Sequence, residues 1–315
     1  MASPTQRALA ERLNAHFGFY LTHCRLLAEV HSDWQHIEIH EHPQFGRLMR
    51  IDGCFMTSER DEFFYHEPMV HLPAIAHPGV RRALIVGGGD GGAAEELLKL
   101  PGIAQVTLCE LDGAVIRLAH EWLPAIHRGA FDDPRLRLQL GDARAFIADT
   151  EERFDQIVLD LTDPFGPAVE LYTVEFYQAC RRILAPGGVV SLHLGSPIHL
   201  QDSLQRLHAS LQVVFPIVRP YLQYVPLYGT LWCMAMASDT TDPAALSAAE
   251  VDARIAQRGI AGLQLYNGAM HQALLAQPNF VRELFAAPAR PLHSGDTLRD
   301  VVNPAELPEI TITEG

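Results

Sequence analysis

Ala83-Leu-Ile-Val-Gly-Gly-Gly-Asp-Gly-Gly-Ala-Ala-Glu-Glu-Leu-Leu-Lys-Leu100 reads as a short buried strand, a glycine-rich turn and then a helix. Gly87, Gly89 and Gly92 fit the G-x-G-x-x-G spacing, and glycine lets a backbone turn that tightly and a ligand approach that closely. About twenty residues on, Glu110 follows a second apolar strand, Gln105 to Cys109, where an acid grips ribose hydroxyls in nucleotide-binding folds. A glycine turn that only packs a helix on a sheet is the plainer alternative, and the acid at this distance counts against it.

The turn carries an acid, Asp90, at its centre. A pyrophosphate would have to sit against that negative charge, which argues against a dinucleotide and leaves a nicotinamide dehydrogenase the weakest reading. A cationic ligand would welcome it, such as an adenosine attached to a sulfonium.

Composition narrows the field further. The chain has 315 residues and a formal charge of −14, enough for one large domain or two smaller ones and a poor match to nucleic acid or an anionic membrane. Five scattered cysteines without a CxxC read as reduced, mostly buried thiols. Met1 to Asn14 has no apolar leader and no run approaches a membrane span, so a soluble cytoplasmic protein is expected.

Working outward, residues 1 to about 22 read as a ragged start with one weak helix. From Cys24 to Thr57 the pattern turns to short alternating strands, with an Asp-Gly turn at Asp52-Gly53. His36, His40 and His42 fall on one polar face, and solvated strand histidines are expected rather than a metal site. Ser58 to Glu67 is dense in polar and aromatic groups and leads into a helix over Pro68 to Ala76, either as a charged helix start or as the rim of a cleft. From Arg82 to about Asp239, strands and helices alternate, as in a parallel sheet with helices on both faces. Strands are expected at Ala83–Val86, Gln105–Cys109, Arg135–Leu140, Gln156–Leu159, Val189–Leu194, Ile217–Tyr221 and Leu231–Ala237, with Pro186-Gly-Gly188 ending a helix. Helices follow from about Ala248 to Ala286, and a Pro- and acid-rich tail is expected to pack loosely. The division is an N-terminal β-strand domain over 1–76, a catalytic domain over 77–287 and a C-terminal tail over 288–315. The fold class is α/β, Rossmann-like in the manner of class I methyltransferases, with a mostly parallel sheet and a small N-terminal β domain.

Ligands of such sheets bind beyond the carboxyl ends of the strands. Besides Asp90, the acids there are Glu110, Asp142, Asp160 and Asp163, the last two in the loop Asp160-Leu-Thr-Asp-Pro-Phe-Gly-Pro167. One acid at a strand end is often a helix cap; five on one rim point to a cationic guest.

These residues resemble the polyamine aminopropyltransferases of the spermidine synthase family. The resemblance runs from about His31 to Phe285 and rests on Trp34-Gln-His-Ile, Phe45-Gly-Arg-Leu-Met-Arg-Ile-Asp-Gly53, Glu59-Arg-Asp-Glu-Phe-Phe-Tyr-His-Glu67, Gly87-Gly-Gly-Asp-Gly-Gly92, Glu110-Leu-Asp112, the Asp160 loop and Tyr266-Asn267. It implies an enzyme that moves the aminopropyl group of decarboxylated S-adenosylmethionine, a co-substrate, to a small amine, releasing 5′-methylthioadenosine. It implies no tightly bound cofactor, no metal, and a homodimer or homotetramer. Matched by position, Gln35 and Glu110 would hold the ribose, Asp142 and Ala143 the adenine, and Pro167 would line that pocket. Asp90 would take the donor's amine. Tyr65, His66, Asp163 and Tyr228 would bind the acceptor, with His66 expected neutral, and Asp160 would accept the proton.

The chain departs from the family pattern at Met56, His193 and Leu227, where polar residues are usual, and the Pro226-Leu-Tyr228 loop is about a residue short. Met56 and Leu227 make the acceptor side more apolar. Putrescine, giving spermidine, remains the expected acceptor, with agmatine or a longer polyamine as the alternative. Two readings of other classes stay open: a methyltransferase using intact S-adenosylmethionine on an amine, and a non-catalytic polyamine-binding protein.

Overall fold

The computed structural model describes residues 7–303. The N-terminal part is a five-stranded antiparallel meander of β1 (Arg7–Arg12), β2 (Gly18–His31), β3 (His36–His42), β4 (Gly46–Ile51) and β5 (Cys54–Ser58). The weak helix expected within residues 1–22 is replaced, among the described residues, by β1 and the start of β2. Alternation decides it: Leu9 and Glu11 face inward, and the Asn14 side chain accepts from the N–H groups of His16 and Phe17 to turn the chain back. The Asp52-Gly53 turn forms as expected, both residues left-handed at φ 49° and 87°, the twist that suits a two-residue hairpin.

Helix α1 spans Phe63–Ala76, five residues earlier than its two prolines, Pro68 and Pro73, suggest. Its buried Glu67 accepts the N–H groups of Gln264, Leu265 and Tyr266 at 2.5, 2.9 and 2.7 Å. Asn267 caps the helix Gly268–Leu275, so the Tyr266-Asn267 motif has a visible structural function.

The larger sheet contains β6 (Arg82–Gly87), β7 (Gln105–Glu110), β8 (Leu136–Leu140), β9 (Phe154–Asp160), β10 (Leu184–Gly195), β11 (Ile217–Val225) and β12 (Thr230–Ser238), in the order β11-β12-β10-β9-β6-β7-β8. All seven expected strands are present. The five from β8 to β10 run parallel, and β12 pairs antiparallel with both β10 and β11. The Pro186-Gly-Gly188 stretch lies where the β10–β9 register shifts, between Leu184 and Val189, rather than at the helix end. Strand order reverses between β6 and β9, which opens a crevice at their carboxyl ends. There Gly87 stands opposite Asp160.

Two apolar layers cover this sheet. Met69, Leu72 and Ile75 of α1 and Ala93 and Leu97 of α2 (Gly92–Leu98) fill one side, and Ile147, Tyr172, Tyr177, Leu207 and Leu211 the other. The small sheet is wedged against both ends of the crevice. Ile37, Ile39 and Met49 pack on Ala114, Val115 and Leu118 of α3 (Gly113–Trp122). On the other side, Leu9, Leu48 and Phe55 pack on Leu227.

Two expectations need amendment, those for His40 and for the tail. His40 is fully buried beside Glu38, not solvated. All five cysteines are buried and free. The described part of the tail is docked: Leu292 is buried, its N–H donates to Ser210 Oγ, and Asp300 caps the helix Gln201–Val214 through the N–H groups of Asp202 and Ser203. Residues 304–315 of the tail lie outside the described residues. Among the described residues no helix is long and apolar enough to cross a membrane.

Candidate active site

The three motif glycines each vacate space for a different site residue. Gly87 has φ +78°, and a Cβ there would lie 2.2 Å from the Asp160 carbonyl oxygen. At Gly89 a Cβ would meet Val115 Cγ1 at 2.7 Å and Glu110 Oε2 at 2.9 Å. At Gly92 it would strike His66 Cε1 at 2.2 Å. The turn therefore lets β9, β7 and α1 deliver their side chains to one place. Asp90, inside it, accepts the Gly92 N–H at 2.9 Å and turns its other oxygen to His66.

His66 sits among three acids. Nδ1 is 2.9 Å from Glu62, while Nε2 is 3.5 Å from Asp90 and 3.9 Å from Asp160. Burial favours the neutral ring, but Asp90, Glu62 and Asp160 together raise its pKa well above the ordinary value. This direction runs against the expectation of a neutral His66, because the three carboxylates favour the protonated ring. Glu62 is itself tied to Arg128 at 2.9 Å. Burial, reinforced by the charge of Asp90, pushes Asp160 up to about 6, against the pull of His66 and of a hydrogen bond from Tyr65. Ligand atoms of His66, Asp90 and Asp160 lie within 4.8 Å of one another.

A second group of residues lines a narrow cavity next to Asp160: Glu11, Met56, Tyr65, Asp163, His193 and Tyr228. Tyr65 and Tyr228 meet edge to face at 6.2 Å, and the Tyr228 hydroxyl donates to the Met56 carbonyl. Burial alone pushes Asp163 up to about 6. Glu11 is pushed higher, to about 8, by burial and by Asp163, although it accepts the Phe55 N–H at 2.5 Å. Sequence reasoning missed Glu11. The available signal was an acid on the apolar face of an alternating strand, two residues after Leu9.

His193 shares this wall. Its Nε2 lies 3.0 Å from the Leu161 carbonyl and 2.7 Å from the Tyr172 hydroxyl, which itself donates to the Thr162 carbonyl. These partners assign the proton to Nε2 and leave the buried Nδ1 as an unpartnered acceptor. Burial lowers its pKa to about 4, so the ring is neutral.

Toward the other end of the crevice, Glu110 is pushed up to about 7 by burial, against the Asp112 N–H that its Oε1 accepts at 2.9 Å. Asp112 caps α3 and accepts from Ser32 Oγ. Ser32 Oγ also receives the Gln35 N–H. A chain of hydrogen bonds thus links Glu110 to the hairpin turn that carries Gln35.

Asp142 departs from the five-acid rim. Its carboxylate caps the helix Ala143–Asp149 and pairs with Arg144 at 2.9 Å, 42% exposed. The capping explanation holds for this residue. Ala143 beside it is buried, and Pro167 is exposed at the start of a 3-10 turn over Gly166–Tyr172. Among the described residues, Glu11, Asp90, Asp160 and Asp163 have no ion pair with an arginine or lysine. Four acids facing the crevice without such a counter-ion give it a negative electrostatic bias that favours cations over anions.

Comparison with known proteins bears on which cations. Residues 62–247 match the spermine/spermidine synthase domain, and residues 10–59 match the spermidine synthase tetramerisation domain. A polyamine aminopropyltransferase of Nitrosomonas europaea is 60% identical over 96% of this chain and 94% of its own. Polyamine aminopropyltransferase 1 of Pseudomonas aeruginosa is 40% identical over 81% and 90%. A spermidine synthase crystallised with the transition state analogue AdoDATO superposes with a TM-score of 0.84 at 33% identity, covering 91% of this chain and 98% of that one. Spermidine synthase from Thermotoga maritima gives 0.81 at 32%, covering 91% and 97%.

Proposed function

The chain belongs to the spermine/spermidine synthase family and is an aminopropyltransferase, and from that premise we propose that it transfers the aminopropyl group of decarboxylated S-adenosylmethionine to a diamine. Putrescine is the acceptor we favour, and spermidine and 5′-methylthioadenosine the products. The observation that carries this reading is the set of four acids, Glu11, Asp90, Asp160 and Asp163, that face the crevice without an arginine or lysine partner, split between two adjoining wells.

In this reading Gln35, Glu110, Ala143 and Pro167 surround the nucleoside, Asp142 borders the well as the cap of the helix that begins at Ala143, and Asp90 faces the donor's ammonium. Intact S-adenosylmethionine adds a carboxylate near that point. Two like charges about 4 Å apart repel by roughly 4 kcal/mol at an effective dielectric of 20, about a thousandfold in preference. This repulsion also counts against the methyltransferase reading.

The acceptor well has an acid at each end. Tyr65, His66, Asp160 and Tyr228 surround the nitrogen that reacts, while Asp163 and Glu11 receive the distant ammonium. The unpartnered His193 Nδ1 is available to an N–H of the guest. An alkyl ammonium has a pKa near 10.4, so freeing its lone pair at pH 7 takes roughly 4.6 kcal/mol. Asp160, raised to about 6, is a better proton acceptor than an exposed carboxylate. The donor's sulfonium lowers the amine's pKa in the same step. Nitrogen then attacks the methylene beside sulfur, the C–S bond breaks, and its electron pair leaves on the neutral thioether. Alignment of the three atoms lowers the barrier further.

Through its match to the tetramerisation domain, we also propose that the protein works as a homo-oligomer. The decisive experiment follows methylthioadenosine release with putrescine, cadaverine, agmatine and spermidine, in wild type and Asp90→Asn. Turnover fastest with putrescine, and a narrowed preference between the two donors in the variant, are expected. Polyamine binding without turnover would overturn the proposal, as would methyl transfer from the intact donor. An equal fall in affinity for both donors would refute the charge argument.

A further inference from the structure

We propose that Glu29, His31 and His36 form a binding site for a transition-metal dication of the zinc class, on the hairpin joining β2 and β3. The two strands pair antiparallel with His31 directly opposite His36. Their imidazoles stack at 4.0 Å and 4°. Glu29 precedes His31 by two residues, so its side chain emerges on the same face. Its Oε1 lies 2.8 Å from His36 Nε2 and 3.8 Å from His31 Nε2.

Both rings therefore present Nε2 toward one carboxylate oxygen, and one ligand atom from each residue lies within 4.8 Å of the others. Among the described residues Glu29 has no ion pair with arginine or lysine; its partners are these two histidines. Two imidazoles and a carboxylate make a donor set that zinc accepts, with water completing a tetrahedron. Magnesium and calcium prefer all-oxygen shells and fit poorly. Two Zn–N bonds of about 2.0–2.1 Å at a tetrahedral angle place the nitrogens about 3.3 Å apart. The rings reach that spacing by turning out of their stack, which exposure permits: the side chains are 73% (His31), 42% (Glu29) and 31% (His36) accessible.

The histidine run His36, His40, His42 suggests a different grouping, along one strand. The fold divides it: His40 is buried between Glu38 and the sheet, and His36 finds its partner across the hairpin instead. A metal here would clip the base of the turn Ser32–Gln35, which Ser32 ties to Asp112.

The test uses untagged, chelator-stripped full-length protein, titrated with Zn2+ by calorimetry and with Co2+ by visible absorption. One equivalent bound with micromolar affinity is expected, with a four- or five-coordinate Co2+ spectrum. His31→Ala and His36→Ala should each weaken binding by about tenfold or more, and Glu29→Gln should weaken it too. Zn2+ should raise the melting temperature of wild type and not of His31→Ala. Failure to saturate by millimolar metal would overturn the proposal. So would wild-type affinity in both histidine variants, which would place the metal elsewhere, for instance on His66, Asp90 and Asp160.

Discussion

Glu11→Gln isolates the far end of the acceptor well. The amide keeps the size of the side chain and can still accept the Phe55 N–H that Glu11 holds at 2.5 Å, so the strand should remain in place. What disappears is a charge. An ammonium about 4 Å from the ionised acid gains roughly 4 kcal/mol at an effective dielectric of 20. Burial and Asp163 hold Glu11 near 8 in the empty site, so ionising it at pH 7 takes back roughly 1 kcal/mol. The remainder, roughly 3 kcal/mol, corresponds to about a hundredfold rise in the diamine KM. The pH dependence follows in sign. The cation prefers the ionised acid, so wild-type kcat/KM for the diamine should rise with pH until about 8 and then level. In Glu11→Gln that limb should vanish, leaving a lower one near 6 from Asp160 and Asp163. The assay is methylthioadenosine release from pH 5.5 to 9, with putrescine and with butylamine, which lacks the second ammonium. Only putrescine should suffer. An unchanged putrescine KM, or equal losses for both amines, would refute the reasoning.

Asp160→Asn should lower kcat by about 10² to 10⁴ with little change in donor KM, as expected for loss of a proton acceptor; steady-state kinetics decide, and a loss confined to KM would remove Asp160 from that role. Gly92→Ala puts a methyl 2.2 Å from the His66 ring and should abolish turnover while circular dichroism shows an intact fold; near-normal activity would mean that His66 need not occupy its position.

Much of the catalytic sheet was legible because its strands are short apolar runs bounded by turns, and its glycine motif names its own partners by distance. The limits of legibility are equally physical. β1 looked ragged because one of its two inward residues, Glu11, is an acid that serves the pocket rather than the core. The start of α1 was hidden by Pro68 and Pro73, which a helix packed on nearly every side tolerates. Burial of His40 could not be read from alternation alone, since both faces of its strand are covered. Asp142 matched the family position, but its nearest charge is Arg144, two residues away and equally visible in sequence. The upward shift of the His66 pKa depends chiefly on Asp90, with Asp160 behind it, arriving from other elements, which no local pattern records.

One consequence lies in the small sheet itself. It carries Gln35 in the turn between β2 and β3 and Glu11 on the edge strand β1, and it rests on α3 and on Leu227 through separate apolar faces. A single rocking movement of this lever would open or shut both wells together. Occupancy of either one would then favour occupancy of the other, a thermodynamic handshake between two substrates that need share no contact until the moment of transfer.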